Sequence, residues 1–244
     1  MRLIVNLSPS EPAAGLALDE ALFESVQRDG EEVLRLWIND RSVIVGRSQK
    51  LATEVDLPQA RSKRIPVLRR ISGGGAVYHY RGNLNVSVMV RAEEAGSVAN
   101  AFARFGGSLR DGLAAFSQRI DLCGNSLMLR GEKIAGAAQA RRGRSVLYHS
   151  TILVCPADLP FECLLLAHRP DYASDGVPSR PEAMTTLSEA VGRPVSGYDA
   201  ADAVVAGFAS LFEVTSGAVS DEEAARSVSL AESKYRSDAW NASR

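Results

Sequence analysis

The 244-residue sequence predicts one α+β domain, and three observations carry that prediction. Strand-like runs crowd the first two-thirds of the chain, helical periodicity marks the last third, and a 45% hydrophobic content is ample for a buried core. No internal repeat or low-complexity linker interrupts the pattern, so residues 1–244 are expected to form a single domain.

The elements follow in order. Leu3-Ile4-Val5 opens as a short strand. Ser10-Glu11-Pro12 starts a helix, with Ser10 as the expected N-cap and Pro12 tolerated in the first turn. Leu16, Leu18, Ala21, Leu22 and Val26 continue it until Asp29-Gly30 stops the pattern. Residues 33–37 and 42–46 read as strands joined by Asn39-Asp40, and Pro66-Val67-Leu68 leads as a third into a glycine cluster. Residues 84–90 alternate in the β manner. A helix over 98–116 carries Phe102, Phe105, Leu109, Leu113 and Phe116 on one side. Strands at Ser126–Leu129 and 148–154 flank the segment 131–144. From Asp158 onward the chain is expected to be mostly helical, most clearly over 202–212 and 221–234.

Composition excludes several function classes. A formal net charge of -1 offers nucleic acid or an anionic membrane no general attraction. No run approaches the roughly 20 apolar residues that span a bilayer, and the N-terminus turns polar too soon for a signal peptide. Cys123, Cys155 and Cys163 are odd in number and irregular in spacing, which argues against a disulfide framework and a spaced zinc site. A reducing cytoplasm is the expected location.

Two segments carry chemistry. In Arg69-Arg70-Ile71-Ser72-Gly73-Gly74-Gly75-Ala76-Val77-Tyr78-His79, three consecutive glycines follow a strand beside two arginines. Glycines admit positive φ and let a ligand approach main-chain N–H groups, so phosphate or carboxylate suits such a loop. A tight turn explains a lone Gly-Gly-Gly equally well, and neither GxGxxG nor the P-loop spacing is present. In Gly131-Glu132-Lys133-Ile134-Ala135-Gly136-Ala137-Ala138-Gln139, a lysine stands among small residues. Its ammonium can face developing negative charge, although a solvated lysine at a hairpin turn fits the segment taken alone.

Together these segments resemble the lipoate–protein ligase A family of the biotin/lipoate protein ligase superfamily. Residues 69–79 lead to Gly82-Asn83-Leu84-Asn85, and the Lys133 segment precedes Tyr148-His149-Ser150-Thr151-Ile152-Leu153, both in the family's order. Upstream, Trp37, the block Ser42-Val43-Ile44-Val45-Gly46-Arg47-Ser48-Gln49 and Glu54-Val55 are similar to its first block. Lys234-Tyr235-Arg236-Ser237-Asp238-Ala239-Trp240-Asn241 is similar to the block that closes its catalytic domain. The resemblance implies a biotin/lipoyl protein ligase-like α+β catalytic domain, with mixed sheets flanked by helices. It implies that ATP and lipoate or octanoate, with Mg, form an acyl-AMP. A lysine of a lipoyl domain then takes the acyl group, on a 2-oxoacid dehydrogenase acyltransferase subunit or the glycine-cleavage H protein. Lys133 matches the lysine that contacts phosphate and acyl carbonyl. Arg70, Ser72, Gly73, Gly74 and Gly75 match the acyl-adenylate tunnel, His79 and Asn83 its nucleotide end, and Gly136, His149 and Thr151 its lysine segment and floor.

Departures from the family pattern keep alternatives open. Tyr80 stands where the family usually has Asp, and Tyr148 and Ser150 replace a His and a Gly. The sequence ends just past Trp240, so the expectation is a catalytic domain without the family's C-terminal accessory domain, and a separate accessory subunit becomes a candidate partner. One alternative is a cysteine-dependent octanoyltransferase or lipoyl amidotransferase without ATP, in which Cys123 is the nucleophile to test. Another is a non-catalytic binder of lipoyl domains, for which Tyr80 is the motive. The Gly-Arg-Gly-Arg signature of biotin ligation is absent. Arg141, Arg142 and Arg144 are expected either to form a mobile turn or to meet an acidic acceptor domain. Cys155 and Cys163 read as buried structural residues, and His168 as a surface-loop residue with no role.

Overall fold

The computed structural model describes residues 1–243. The chain opens with β1 (Arg2–Ser10), α1 (Pro12–Asp29), β2 (Val33–Asn39) and β3 (Ser42–Val45). Short helices α2 (Leu51–Glu54) and α3 (Leu57–Ser62) precede β4 (Val67–Arg69) and β5 (Val77–His79). Next come β6 (Asn83–Arg91), α4 (Ala92–Ala95) and α5 (Val98–Leu113), then a meander of β7 (Ile120–Cys123), β8 (Ser126–Leu129), β9 (Glu132–Arg142) and β10 (Ser145–Leu153). The last part supplies α6 (Leu187–Val191), α7 (Gly197–Ala209), β11 (Thr215–Ser216), α8 (Asp221–Leu230), a π-helical turn at Ala231–Tyr235 and α9 (Asp238–Asn241).

The strands form two mixed sheets, of eight strands in the order β11-β1-β2-β6-β10-β9-β8-β7 and of three in the order β4-β3-β5. The α+β expectation is met. Alternation along the central strands gives the large sheet two faces. On one face Leu34, Leu36, Val86, Val88, Tyr148 and Ile152 pack with Phe105, Leu109 and Leu113 of α5 and with Val204 and Phe208 of α7. On the other, Val33, Trp37, Met89 and Leu147 meet Leu16, Leu22, Phe23 and Val26 of α1, and Ile44 and Leu68 of the small sheet. A third core, including Val43, Val45, Tyr78, Tyr80, Leu164 and Leu165, lies beyond the small sheet.

Several element expectations need correction. Ser10 ends β1 instead of capping α1. The cap is Glu11, whose carboxylate accepts from Ala13 N at 3.2 Å and Ala14 N at 2.9 Å. The segment around Lys133 is a strand, because β9 pairs with both β8 and β10 and its small residues pack flat against them. Residues 158–186 are not mostly helical. They hold only single 3-10 turns at Phe161–Cys163 and Leu166–His168, since Pro160, Pro170, Pro178 and Pro181 break any longer run. Helix α7 starts earlier than expected, where Ser196 and Asp199 form a capping box. Among the described residues no helix is long and apolar enough to cross a membrane.

Candidate active site

The sequence Asn83-Leu84-Asn85-Val86-Ser87 lays polar side chains on one face of β6 while Leu84 and Val86 enter the core beneath α5 and α7. Strand register then aligns Trp37, Asn85, Thr151, Gly136 and Ser126 in one row across β2, β6, β10, β9 and β8. The adjacent row on the same face runs Ser87, His149 and Ala138. These rows floor a cavity of about 600 Å³, whose walls include Leu16 of α1, Ile44 of β3, the glycine-rich loop and the segment 177–184. One end is apolar around Leu16, Trp37 and Ile44. The other carries Lys133.

Lys133 reaches the cavity because Gly136 has no side chain. A Cβ placed on Gly136 would lie 2.9 Å from Lys133 Cε and 3.1 Å from its Nζ. Lys133 N donates to Ala183 O at 2.8 Å and Thr185 N to Lys133 O at 3.1 Å, which ties β9 to the cavity wall. The ammonium donates to Glu182 Oε2 at 2.6 Å, with the two side chains 22% and 34% exposed. A partly exposed ion pair of this kind contributes on the order of 1 kcal/mol, so a stronger anion can exchange with Glu182.

The glycine-rich loop closes around its own arginine. Arg70 donates to Gly73 O at 2.5 Å, Gly75 O at 2.8 Å, Ile44 O at 3.1 Å and Ser72 Oγ at 3.0 Å. Burial pulls its guanidinium down to about 10, which leaves it cationic at neutral pH. Gly74 holds φ at 85°, a conformation that side-chain-bearing residues rarely adopt. The segment 177–184 is pinned to this loop from outside. Ser179 Oγ accepts from Ala76 N at 2.9 Å and donates to the buried Glu54 carboxylate at 2.6 Å, and Gln49 Nε2 reaches it at 3.0 Å.

Two buried histidines stand between loop and floor. Ser72 Oγ accepts from Arg70 and lies within hydrogen-bond distance, 2.5 Å, of His149 Nε2. His79 Nε2 lies 3.1 Å from Thr151 Oγ1, and its Nδ1 lies 3.3 Å from Asn39 Nδ2. Burial, reinforced by the Arg70 cation, pulls both rings down to about 3, so both are neutral at physiological pH.

Of the residues predicted from sequence, Lys133, Arg70, Gly74, Gly75, His79, Gly136, His149 and Thr151 line this one cavity. Ser72 sits behind it as the link between Arg70 and His149. Gly73 contributes its carbonyl to Arg70 and is not on the lining. Asn83, expected at the nucleotide end, does not line the cavity. Its Oδ1 accepts from Tyr80 N at 2.7 Å, and the side chain closes the β5–β6 turn. Tyr80 is buried, stacks on Tyr78 and donates to Cys155 O at 2.8 Å, so the substituted position faces the third core and not the cavity. Cys123 is exposed at the end of β7 and joins the lining. Cys155 and Cys163 are half-buried and lie off it.

Sequence reasoning missed Asn85, Ser87, Glu182 and His168, all of which line the cavity. For Asn85 and Ser87 the signal was present: polar residues at every second position of a strand too apolar to be exposed. His168, read as a surface residue without a role, is half-buried against Phe161 on the cavity wall. The arginine cluster lies at the far tip of the β9–β10 hairpin. There Arg142 pairs with Glu20 at 3.2 Å and Glu24 at 3.4 Å, and Arg141 donates to Gly96 O and Gln139, so much of its charge is satisfied within the chain.

Comparison with known proteins bears on this geometry. Residues 11–209 match the family model described as the lipoyl protein ligase A/B catalytic domain. A putative lipoate-protein ligase A of Aeropyrum pernix is 37% identical over 62% of this chain, and the chain spans 57% of that relative's length. Octanoyltransferase LipM of Symbiobacterium thermophilum is 31% identical over 93% of this chain and 92% of its own. Among solved structures, the bi-partite lipoate protein ligase of Thermoplasma acidophilum, described with its E2 lipoyl domain, superposes with a TM-score of 0.86. It is 26% identical and covers 99% of this chain and 95% of its own. A lipoate-protein ligase A bound with ATP gives a TM-score of 0.84 at 27% identity, covering 99% and 98%.

Proposed function

The chain belongs to the lipoyl protein ligase A/B catalytic-domain family of acyl-transferring enzymes, and from that premise we propose that it activates lipoate or octanoate with ATP and passes the acyl group to a protein lysine. The observation that carries the proposal is Lys133 laid over Gly136 at the polar end of a cavity of about 600 Å³, ample volume for an eight-carbon acid. The acid's carboxylate oxygen attacks the α-phosphorus of ATP and pyrophosphate leaves. The acceptor's ε-amine then attacks the acyl carbon, the C–O bond to AMP breaks, and the amine's proton is lost to solvent. Lys133, released from Glu182, supplies positive charge where it accumulates on the phosphate and acyl oxygens. Gly74, Gly75 and Arg70 form the wall beside the acyl chain, His79 and Thr151 fix the floor, and Ser72 with His149 holds the loop against it. A magnesium ion accompanying the nucleotide would neutralise phosphate charge. Glu182 is the carboxylate on the cavity wall, among the described residues, that suits such an ion.

Acceptors of the lipoyl-domain class, including acyltransferase subunits of 2-oxoacid dehydrogenases and the glycine-cleavage H protein, fit this reading. The likeness to a bi-partite ligase supports a separate accessory polypeptide as a partner. A second reading rests on Cys123 at the cavity wall and on the octanoyltransferase relative: a thiolate acyl-enzyme that needs no ATP. The test incubates the protein with ATP, lipoate and an unmodified lipoyl domain, with and without the accessory polypeptide, and weighs the products. ATP-dependent acylation that is lost in Lys133→Ala and kept in Cys123→Ser supports the ligase. Acylation from octanoyl carrier protein without ATP, lost in Cys123→Ser, supports the transferase. Full turnover by Lys133→Ala would sink both.

A further inference from the structure

We propose that Asn85 is a specificity residue that reads the far end of the acyl tail and favours a sulfur-bearing tail over a plain hydrocarbon; the inference rests on the acyl-ligase reading above.

The direction of a buried hydrogen-bond chain carries it. Ser42 Oγ donates to Asp40 O at 3.0 Å, so its oxygen faces Asn39 as an acceptor. Asn39 Nδ2 then donates to Ser42 Oγ at 3.4 Å and to His79 Nδ1 at 3.3 Å. With Nδ1 accepting, the proton of the neutral His79 ring sits on Nε2 and goes to Thr151 Oγ1 at 3.1 Å. Thr151 in turn donates to Asn85 Oδ1 at 2.9 Å. The chain therefore ends on Asn85 Nδ2, whose two N–H groups have no partner among the described residues although Asn85 is 3% exposed and lines the cavity.

Position decides what such an amide meets. Gly136, which bears the tip of Lys133, is two strands from Asn85, about 10 Å at ordinary strand spacing. With C–C bonds of about 1.5 Å, an extended eight-carbon acid covers about 9 Å between its end carbons. A carboxyl group at Lys133 thus sets the distal carbons beside Asn85 and its row neighbour Trp37. Octanoate offers this amide only C–H groups, which leaves a buried donor without an acceptor, a costly arrangement. A dithiolane offers sulfur, a weak acceptor in the same place.

The experiment measures lipoate and octanoate binding by calorimetry for the wild-type protein, Asn85→Leu and Asn85→Asp. The near-isosteric aspartate keeps the shape and the acceptor for Thr151 and, as a carboxylate at neutral to mildly alkaline assay pH, has no donor, so it carries the test if the leucine variant does not fold. The wild type is expected to bind lipoate more tightly. The ratio of the two dissociation constants is expected to move at least fivefold toward octanoate in both variants. A wild type without preference, or a ratio within twofold of wild type in the variants, overturns the inference alone. A wild type that binds neither acid removes the ligase reading and this inference with it.

Discussion

At the scale of single residues, the site depends on what is left out as much as on what is present. Lys133 lies across position 136 in the space a Cβ there would crowd, and Glu182 holds its ammonium at 2.6 Å. Gly136→Ala places a methyl group against the flexible end of a side chain and not against backbone. The fold should tolerate it, with a thermal midpoint within a few degrees of wild type. The lysine tip must shift by a few tenths of an ångström or more, and misplacement on the 1 Å scale can cost about 10²-fold in rate. We expect kcat/KM for acyl transfer to fall at least tenfold. A stable variant with wild-type kcat/KM would show that the Lys133 position is not critical.

At the scale of elements, a distant helix holds the glycine-rich loop in place. Asn241 in α9 accepts from Arg69 N at 2.9 Å through Oδ1 and donates to Tyr235 O at 2.8 Å. The Arg69 guanidinium donates to Asn241 O, Gly46 O and Gln49 O, and Trp240 Nε1 donates to Arg69 O at 2.7 Å. The motif Lys234-Tyr235…Trp240-Asn241 is therefore a clasp on the strand that delivers Arg70. Lys234 ties it to buried Glu20 of α1 at 2.7 Å while lying over the Trp240 ring. Asn241→Ala leaves a buried donor and acceptor unpaired, at a cost of about 1–3 kcal/mol each. Urea unfolding should show a lower midpoint at unchanged m-value, and KM for the acid should rise as the loop loosens. Unchanged stability would contradict the clasp.

At the scale of the whole molecule, two neutral histidines in the interior link folding to pH. In the unfolded chain each ring titrates near 6.5. In the folded protein both are pulled down to about 3 by burial and by Arg70. Between those values the unfolded state binds more protons, so stability is fully present above about 6.5 and is lost as pH falls toward 3. For either ring taken alone the loss at pH 5 is about 2 kcal/mol. Equilibrium unfolding at pH 7 and pH 5 should show that decline, and His149→Gln should lessen the difference. A variant with the same pH dependence as wild type would place the acid sensitivity elsewhere.

Much of this protein was legible in the order of its residues. The α+β class followed from strand runs early and helical periodicity late, because those periods reflect backbone geometry that needs no partner to be read. The arginine-glycine loop, Lys133, Gly136, His149 and Thr151 were identified from motifs, and the structure brings them to one cavity. What stayed hidden depends on register and packing. Nothing local to Lys133 distinguishes a strand from a turn until β8 and β10 pair on either side of it. Nothing local to Glu182, Ser179 or His168 shows that a proline-broken segment folds back across the glycine loop. Asn83 and Asn85 look alike in sequence, yet one closes a turn while the other faces the cavity, because only cross-strand neighbours decide where a polar strand residue finds its partners. The sequence determined the family, the fold class and several of the polar groups at the site. The tertiary structure decided which of them meet, since long-range contacts between strands are set by the folded sheet and not by neighbours along the chain.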